Sequence, residues 1–249
     1  CYGIASWLLL PVALFQGLRL RARTPRLAPP AGRPFSQVGS SPQPDYNLLV
    51  IGDSSAAGVG ADSVEATIGC QIAHSLHAAT GSTVAWRNAG SNSAISEQVR
   101  DHDVPNLERL PYSHIVLAVG TNDMKNFLTA KRFKRGFGGL LYAVKARWPE
   151  AKIFWSPMID MRNVPAFPAA LAAILEMRGR IINRMGRQLC QERYATVAPQ
   201  LDSSNPLGFS HDGFHASVAG YQHWAQLLAR TILEHEDHRD TVEDARAAE

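Results

Sequence analysis

The chain reads NLLVIGDSSAAG from Asn47 to Gly58. The first five residues form an apolar run of strand length, and the turn-forming pair Gly52 and Asp53 follows at once. Because Ser54 stands where a buried strand ends and a helix is expected to begin, its hydroxyl can be exposed while its backbone stays rigid. The stretch therefore predicts a nucleophile, whose partners should lie at the ends of other strands.

Short apolar runs alternate with helical patterns along the rest of the chain. The strand candidates are 48–52, 83–86, 115–120, 153–156 and 195–198. Between them, apolar residues recur at helical spacing, as in Val64, Ile68, Ile72 and Leu76. This alternation predicts an α/β fold, with right-handed β–α–β units and a five-stranded parallel sheet that helices cover on both faces.

Charge and composition indicate one enzyme-sized domain. The chain has 249 residues, of which 45% are apolar, and no repeat. The formal net charge of +3 comes from five arginines near the N-terminus, namely Arg19, Arg21, Arg23, Arg26 and Arg33. The other 20 basic side chains are balanced by 22 acidic ones. The main domain therefore has no basic surface of the kind that binds nucleic acid, and we expect no such partner.

The sequence carries no motif for a metal or a cofactor. The cysteines form no CxxC pair that would indicate zinc or a disulfide framework, and they are Cys1, Cys70 and Cys190. His211 and His215 have the spacing of a zinc motif, but Gly213 lies between them and no third ligand is evident. Neither a dinucleotide glycine loop nor a Walker sequence occurs. We therefore expect no cofactor and no metal, and a small buried side chain at Cys70.

The N-terminal segment, residues 1–24, is apolar and basic. Residues 4–18 are almost uncharged but fall short of the roughly 20 residues that a spanning helix needs. The arginine cluster follows directly, so we expect residues 1–26 to associate with a membrane surface, on the cytoplasmic side that arginines favour. The alternative is a helix that docks on the domain's own apolar surface.

Three further segments follow. Residues 25–44 hold six prolines and are predicted to form an extended linker. The folded domain is predicted to span residues 45–233. Residues 234–249 are charged and are predicted to form a frayed tail.

Three polar clusters stand where chemistry is expected in an open parallel sheet. The first strand leads into Gly52-Asp53-Ser54-Ser55, the third into Gly120-Thr121-Asn122-Asp123, and the final helix is preceded by His211-Asp212-Gly213-Phe214-His215. Ligands bind outside the carboxyl ends of such strands. The three clusters are therefore expected to meet at one edge of the sheet.

These clusters fit one mechanism. Ser54 needs a base to remove its proton, and His215 is suitable because imidazole exchanges protons near neutral pH. Asp212 would fix the tautomer of that imidazole. The side-chain amide of Asn122 and the backbone N–H of Ser54 would stabilise the oxyanion, to which one donor contributes roughly 3 kcal/mol. Each residue also has a structural interpretation, as a helix cap, a turn or a surface histidine.

Together the clusters resemble those of the SGNH hydrolases, also called GDSL esterases and lipases, over roughly residues 47–232. The resemblance implies a flavodoxin-like three-layer α/β/α sandwich and ester hydrolysis through an acyl-enzyme. It assigns Ser54 as nucleophile, His215 as base and Asp212 as the third triad member. The Gly-x-Ser-x-Gly elbow of the α/β-hydrolases is absent, since position 56 is alanine.

The loop after the second strand departs from the family pattern. The family normally supplies a glycine N–H to the oxyanion hole from this loop, and counting from Asn88 that position is Ser93. We expect Ser93 to be the donor, provided the turn does not require a positive φ, with Gly90 as the alternative register. Another departure is Ala216, where a proline commonly follows the catalytic histidine.

The substrate is predicted from the segment after the fourth strand. Residues 157–162 and 164–168 are apolar and punctuated by prolines, which suits the lining of an acyl chain as well as ordinary core cover. The leading hypothesis is a serine esterase that acts on small-molecule or lipid esters with acyl or acetyl groups. The alternatives are an acyltransferase with the same triad and a non-catalytic binding module on the same fold.

Overall fold

The computed structural model describes residues 6–247, with side chains up to residue 238. Its strands are β1 (Phe35–Val38), β2 (Tyr46–Gly52), β3 (Val84–Gly90), β4 (His114–Ala118), β5 (Lys152–Trp155) and β6 (Thr196–Val197). The helices are α1 (Leu10–Arg23), α2 (Ile68–Thr80), α3 (Ser96–Gln98), α4 (Val104–Asn106), α5 (Thr121–Lys125), α6 (Ala130–Arg147), α7 (Ala169–Glu192) and α8 (Val218–Ala247). A π-helical segment, Val99–Asp103, joins α3 to α4, and single 3₁₀ turns lie at Val64–Ala66, Met161–Asn163 and Pro206–Gly208.

The sheet has the order β1-β3-β2-β4-β5-β6, in which β2 to β6 are parallel. The predicted α/β class and its five parallel strands are confirmed. β3 continues beyond its predicted end at residue 86, because its register with β2 extends to the pair Gly52 and Gly90. Both strands thus reach the same edge of the sheet.

The sheet has six strands rather than the five predicted. The additional strand, β1, lies inside the segment expected to be a linker and pairs with β3 in antiparallel register. Its four side chains are largely exposed, so the segment lacks the apolar alternation that marks a strand in sequence. Backbone hydrogen bonding to β3 at the edge of the sheet is enough to form this strand.

Helices cover both faces of the sheet and form the three predicted layers. Leu49 and Ile51 of β2 point into a core that Phe133 and Phe137 of α6 share with α7. The alternate residues, such as Val50, pack against α2 and α8 on the opposite face. Since both faces of β2 are buried, the strand reads as a continuous apolar run, as parallel sheets require.

The N-terminal helix docks on the domain. Ala13 of α1 is buried in the core that α7 helps to form. Ahead of it, the ring of Trp7 lies 6.0 Å from that of Phe127, and the guanidinium of Arg178 lies over both rings. No helix within residues 6–247 is long and apolar enough to cross a membrane. Residues 1–5 of the predicted apolar segment, with Cys1, lie outside the described residues.

Helix α8 continues the fold past residue 233, where the charged tail was predicted to begin. Glu236 accepts hydrogen bonds from His114 Nε2, at 3.1 Å, and from Lys152 Nζ. His235 Nδ1 lies 3.1 Å from Thr196 Oγ1. The start of the charged segment is therefore fastened to the ends of β4, β5 and β6, although its sequence carries little apolar signal.

Candidate active site

Ser54 lies in a tight turn after β2 rather than at the start of a helix. The N–H of Val59 donates to Ser54 O at 2.9 Å, and that of Ala57 donates to Asp53 O at 3.1 Å. The turn ends in Gly58 and Gly60, which have φ of 81° and 96°. Such left-handed residues stop a helix from forming, so the next long helix begins only at Ile68.

Close backbone packing holds this turn in place. A Cβ on Gly90 of β3 would lie 2.0 Å from Ala57 N, and a Cβ on Gly52 would lie 2.1 Å from Ala118 O. Neither position tolerates a side chain without backbone movement. The glycines therefore let β3 and β4 approach the turn that carries Ser54.

The structure brings Ser54, His215 and Asp212 into one hydrogen-bonded chain. His215 Nε2 lies 3.2 Å from Ser54 Oγ, and His215 Nδ1 lies 2.6 Å from Asp212 Oδ2. Since an ionised carboxylate only accepts, Nδ1 carries the proton and Nε2 is left to accept from the serine hydroxyl. The three residues come from parts of the chain 161 positions apart and meet at the carboxyl end of the sheet.

Asp212 is held in its ionised form. Its Oδ1 accepts from Ser210 Oγ and from the backbone N–H groups of Phe214 and His215, at 2.8 to 2.9 Å. Burial raises the pKa of the Asp212 carboxyl, but the hydrogen bonds from His215, Phe214 and Ser210 outweigh burial and hold that pKa well below its usual range. The contribution of Ser210 was missed in sequence, where it carried no signal.

The two predicted backbone donors are free in the described part of the chain. Neither the N–H of Ser54 nor that of Ser93 donates to an acceptor within residues 6–247. Ser93 has a φ of 64°, so the turn does require the left-handed conformation that a glycine adopts at little cost. Gly90, the alternative register, lies within β3 and packs against the turn at Ala57.

Asn122 lies beside Ser54 at the start of α5, but its amide is already engaged. Its Nδ2 donates to Asp53 Oδ2 at 3.1 Å and to Ala94 O at 3.0 Å. It thus ties the loops after β2, β3 and β4 together. Burial raises the pKa of Asp53 against the effect of the N–H of Ser55, which donates to its carboxylate.

The neighbouring Asp123 anchors the loop after β3. It accepts from Ser96 N and Ser96 Oγ, both at 3.0 Å. Burial raises the pKa of Asp123 to about 6. A carboxylate in this fully buried position fixes the end of the loop that carries Ser93.

An apolar cavity of about 170 Å³ opens beside Ser54 and His215. One wall comes from the predicted lining segment, as Pro157, Met158, Ile159, Met161 and Val164. Further apolar lining comes from three residues that the sequence did not indicate, Leu201, Phe209 and Trp224. Met158 is fixed at both backbone ends, since its N–H donates to Asn183 Oδ1 and its O accepts from Asn183 Nδ2. Asn183 therefore fixes the backbone of the lining segment at Met158.

Within residues 6–247, no group of three His, Cys, Asp or Glu side chains could hold a metal ion. His211, one half of the zinc-like pair, is exposed. Cys70 is buried, as predicted.

The profile of the GDSL-like lipase/acylhydrolase family matches residues 50–223. No curated protein matches the chain in a sequence search. Among solved structures, a putative GDSL-like lipase from Parabacteroides merdae is 17% identical and superimposes with a TM-score of 0.60, over 78% of this chain and 98% of its own.

Two further structures share the fold. The psychrotrophic esterase EstA from Pseudoalteromonas sp. is 15% identical with a TM-score of 0.58, over 78% of this chain and 100% of its own. The carbohydrate acetylesterase Est24 from Sinorhizobium meliloti is 14% identical with a TM-score of 0.57, over 76% and 99%. At these identities the structures establish the fold alone, and the family follows from the profile match. The chain therefore belongs to the GDSL-like lipase/acylhydrolase family of carboxylic ester hydrolases.

Proposed function

We propose that the chain hydrolyses acyl esters through an acyl-enzyme on Ser54. The observation that carries the proposal is the hydrogen-bonded chain from Asp212 through His215 to Ser54, which ends at the mouth of an apolar cavity. Ser54 Oγ attacks the acyl carbonyl carbon, its proton passes to His215 Nε2, and the same proton then goes to the leaving alcohol. Water enters in place of the alcohol and reverses these steps to release the acid.

The oxyanion would be stabilised by the backbone N–H groups of Ser54 and Ser93. Their lack of an acceptor within the described chain supports this role. Asn122 Nδ2 would be the third donor, and it has to share or release its bond to Ala94 O or Asp53 to reach the oxyanion. In this role Asn122 gives up a ground-state contact as charge develops on the substrate.

The nucleophile assignment is tested with Ser54→Ala and His215→Ala. Both variants are expected to lose at least a thousandfold in kcat/KM on p-nitrophenyl butyrate, because neither retains both nucleophile and base. His211→Ala, which removes an exposed histidine four positions earlier, is the matched control and is expected to keep wild-type turnover. A fluorophosphonate probe should label wild type and fail to label Ser54→Ala. Retained turnover in Ser54→Ala at an unchanged melting temperature contradicts the proposal.

We further propose that the cavity binds the acyl chain and favours chains longer than acetyl. Its apolar lining supports this preference, since each buried methylene contributes about 0.8 kcal/mol, or about fourfold in kcat/KM. Ala219 lies on the cavity rim and is exposed, so Ala219→Trp can fill the space without disturbing the core.

A series of p-nitrophenyl esters from acetyl to decanoyl measures this preference. Wild type is expected to gain kcat/KM with each methylene until the cavity is full, and Ala219→Trp to shift the optimum to shorter chains while it keeps acetyl turnover. Gln226→Trp, at an exposed position of α8 outside the cavity, is the control. An unchanged optimum in Ala219→Trp would place the acyl chain elsewhere.

We also propose that residues 6–26 contact an anionic membrane surface. Large apolar side chains that face solvent support this, namely Leu8, Leu9, Val12, Leu14, Phe15 and Leu18. Three exposed arginines follow them in α1, namely Arg19, Arg21 and Arg23. An apolar helix face next to clustered arginines suits the interface of a bilayer with acidic head groups.

Sedimentation with vesicles tests the surface. Wild type should bind vesicles that contain phosphatidylglycerol more tightly than pure phosphatidylcholine, and less tightly at high salt. The triple variant Leu14→Ser, Phe15→Ser and Leu18→Ser should lose most of this binding. Tyr142→Ser with Tyr194→Ser, at exposed positions elsewhere, is the control. Equal binding by both variants would contradict the proposal.

A further inference from the structure

The ring of Phe214 contacts three groups, one of which is the candidate base. Phe214 lies between Asp212 and His215 in the chain, and its ring meets the imidazole of His215 edge to face, with centroids 4.9 Å apart and planes at 78°. The centroid of the Phe167 ring lies 5.6 Å from that of Phe214, with the planes at 40°. The ammonium of Lys125 lies over the ring face, 4.4 Å from its centroid.

Lys125 is the last residue of α5, the helix that carries Asn122. Among the described residues its ammonium makes no hydrogen bond or ion pair, so the Phe214 ring is the direct contact that the structure gives it. Burial lowers the pKa of Lys125, and the negative charges of Asp53 and Asp212 act against burial. Arg21 of α1 is a nearby cation that adds to the lowering.

This arrangement has a mechanical consequence for His215. A cation over an aromatic face is attracted to it, most strongly where water is excluded. The force on the Phe214 ring is passed to the imidazole, because the ring touches it and the two residues are adjacent. The hydrogen bond that Ser54 Oγ donates to His215 Nε2 is 3.2 Å long, at the long end of the range, so a small displacement of the imidazole breaks it.

We propose that Lys125 is a positioning residue for ester hydrolysis, whose ammonium holds the Phe214 ring against His215 and keeps the imidazole within reach of Ser54. The inference rests on the proposed function. Through the Phe214 ring, Lys125 raises the fraction of molecules in which His215 is aligned with Ser54. It takes no part in binding the acyl chain, since it lies outside the cavity lining. Its loss should therefore lower kcat and leave KM unchanged.

The experiment compares Lys125→Met, Lys125→Arg, Phe214→Leu and the Lys125→Met, Phe214→Leu double variant on p-nitrophenyl butyrate. Each kcat is expressed per active site titrated with a fluorophosphonate, so that unfolded protein is not counted. Lys125→Met is expected to lower kcat roughly three- to tenfold with KM unchanged within twofold. Lys125→Arg should keep kcat close to that of wild type, because a guanidinium also stacks on an aromatic face. In the Phe214→Leu background, Lys125→Met should have no further effect.

Three outcomes would overturn the inference. They are an unchanged kcat in Lys125→Met, a kcat in Lys125→Arg as low as that of Lys125→Met, and a full effect of Lys125→Met in the Phe214→Leu background. The last would mean that the charge acts on the site without the ring. Ser54→Ala in the same assay separates this inference from the proposed function. If Ser54→Ala is inactive and Lys125→Met is normal, only the role of Lys125 fails.

Discussion

The loops after β2 and β3 face each other at Ser54, but they are held in different ways. The loop after β2 places glycines at its left-handed positions, Gly58 and Gly60. The loop after β3 places a serine, Ser93, in the same conformation. The first loop thus uses glycine where φ is positive, whereas the second holds a serine there, which is strained, and is anchored by the hydrogen bonds from Ser96 to Asp123. The loop after β2 therefore avoids backbone strain by using glycine, whereas the loop after β3 tolerates strain at Ser93.

The largest expected effect comes from adding a methyl group where the last residue of β3 packs against the turn after β2. In Gly90→Ala, the new Cβ would meet Ala57 N at 2.0 Å, and because the neighbour is backbone, the turn with Ser54 has to move. We expect a loss of about 3 kcal/mol in the free energy of unfolding and of at least a hundredfold in kcat/KM.

Gly81→Ala is the matched control for this change. Gly81 has a φ of 73° and open space around its Cα, so the substitution adds left-handed strain without a clash. It should cost about 1 kcal/mol and leave kcat/KM unchanged. Denaturant titration and ester kinetics measure both variants. Equal effects would show that the close approach at Gly90 does not position the turn.

The next largest effect is the pH dependence that Asp123, the anchor of the loop after β3, gives to the free energy of unfolding. Burial raises the pKa of Asp123 to about 6 from the ordinary value of 3.8, so the folded state binds more protons than the unfolded state between those values. The free energy of unfolding therefore falls as the pH rises through this window, by about 2 kcal/mol. Asp123→Asn, which keeps an acceptor for Ser96 but does not ionise, should lose this part of the pH dependence.

Denaturant titrations between pH 3.5 and 7.5 measure that slope. Asp101→Asn is the control, since the carboxyl of Asp101 is exposed and the guanidinium of Arg100 lowers its pKa. The slope above pH 4 should persist in this variant. Identical profiles for Asp123→Asn and wild type would mean that the pKa of Asp123 is the same in the folded and unfolded states.

Most of the fold could be predicted from the sequence because its signals are local. The apolar run that ends at Gly52 and the three polar clusters predicted the sheet and the meeting of Ser54, Asp212 and His215. β1 escaped notice because it is an edge strand held by backbone bonds. Part of the cavity lining could not be predicted for another reason. In the sequence, Leu201 and Trp224 look like ordinary core residues, and only the fold places them at the cavity beside Ser54.

The contacts of Asn122 and Lys125 could not be predicted from the sequence either. An asparagine after a strand predicts a donor, but its sequence does not tell which acceptors already occupy it, here Asp53 and Ala94. A lysine at the end of a short helix is ordinarily a solvated charge. Its contact with Phe214 joins residues 89 positions apart, which no local pattern indicates.

The smallest expected effect is a gain in stability when the strain in the loop after β3 is removed. Ser93→Gly places at φ 64° the residue that adopts this conformation at little cost. We expect the free energy of unfolding to rise by about 1 kcal/mol, which is the usual cost of a left-handed non-glycine residue less the added freedom of glycine in the unfolded chain. The backbone N–H is retained, so kcat should stay within about twofold.

Ser93→Ala separates the strain from the hydroxyl. Alanine keeps the Cβ that makes φ 64° unfavourable, and the hydroxyl it removes makes only a long contact of 3.4 Å with Asn92 Oδ1. This variant should therefore not be stabilised. If Ser93→Gly and Ser93→Ala have the same midpoint of unfolding, the loop bears no strain at this position. A fall in kcat for Ser93→Gly alone would instead mean that the strained serine aims its N–H at the oxyanion, and that stability is given up there for alignment.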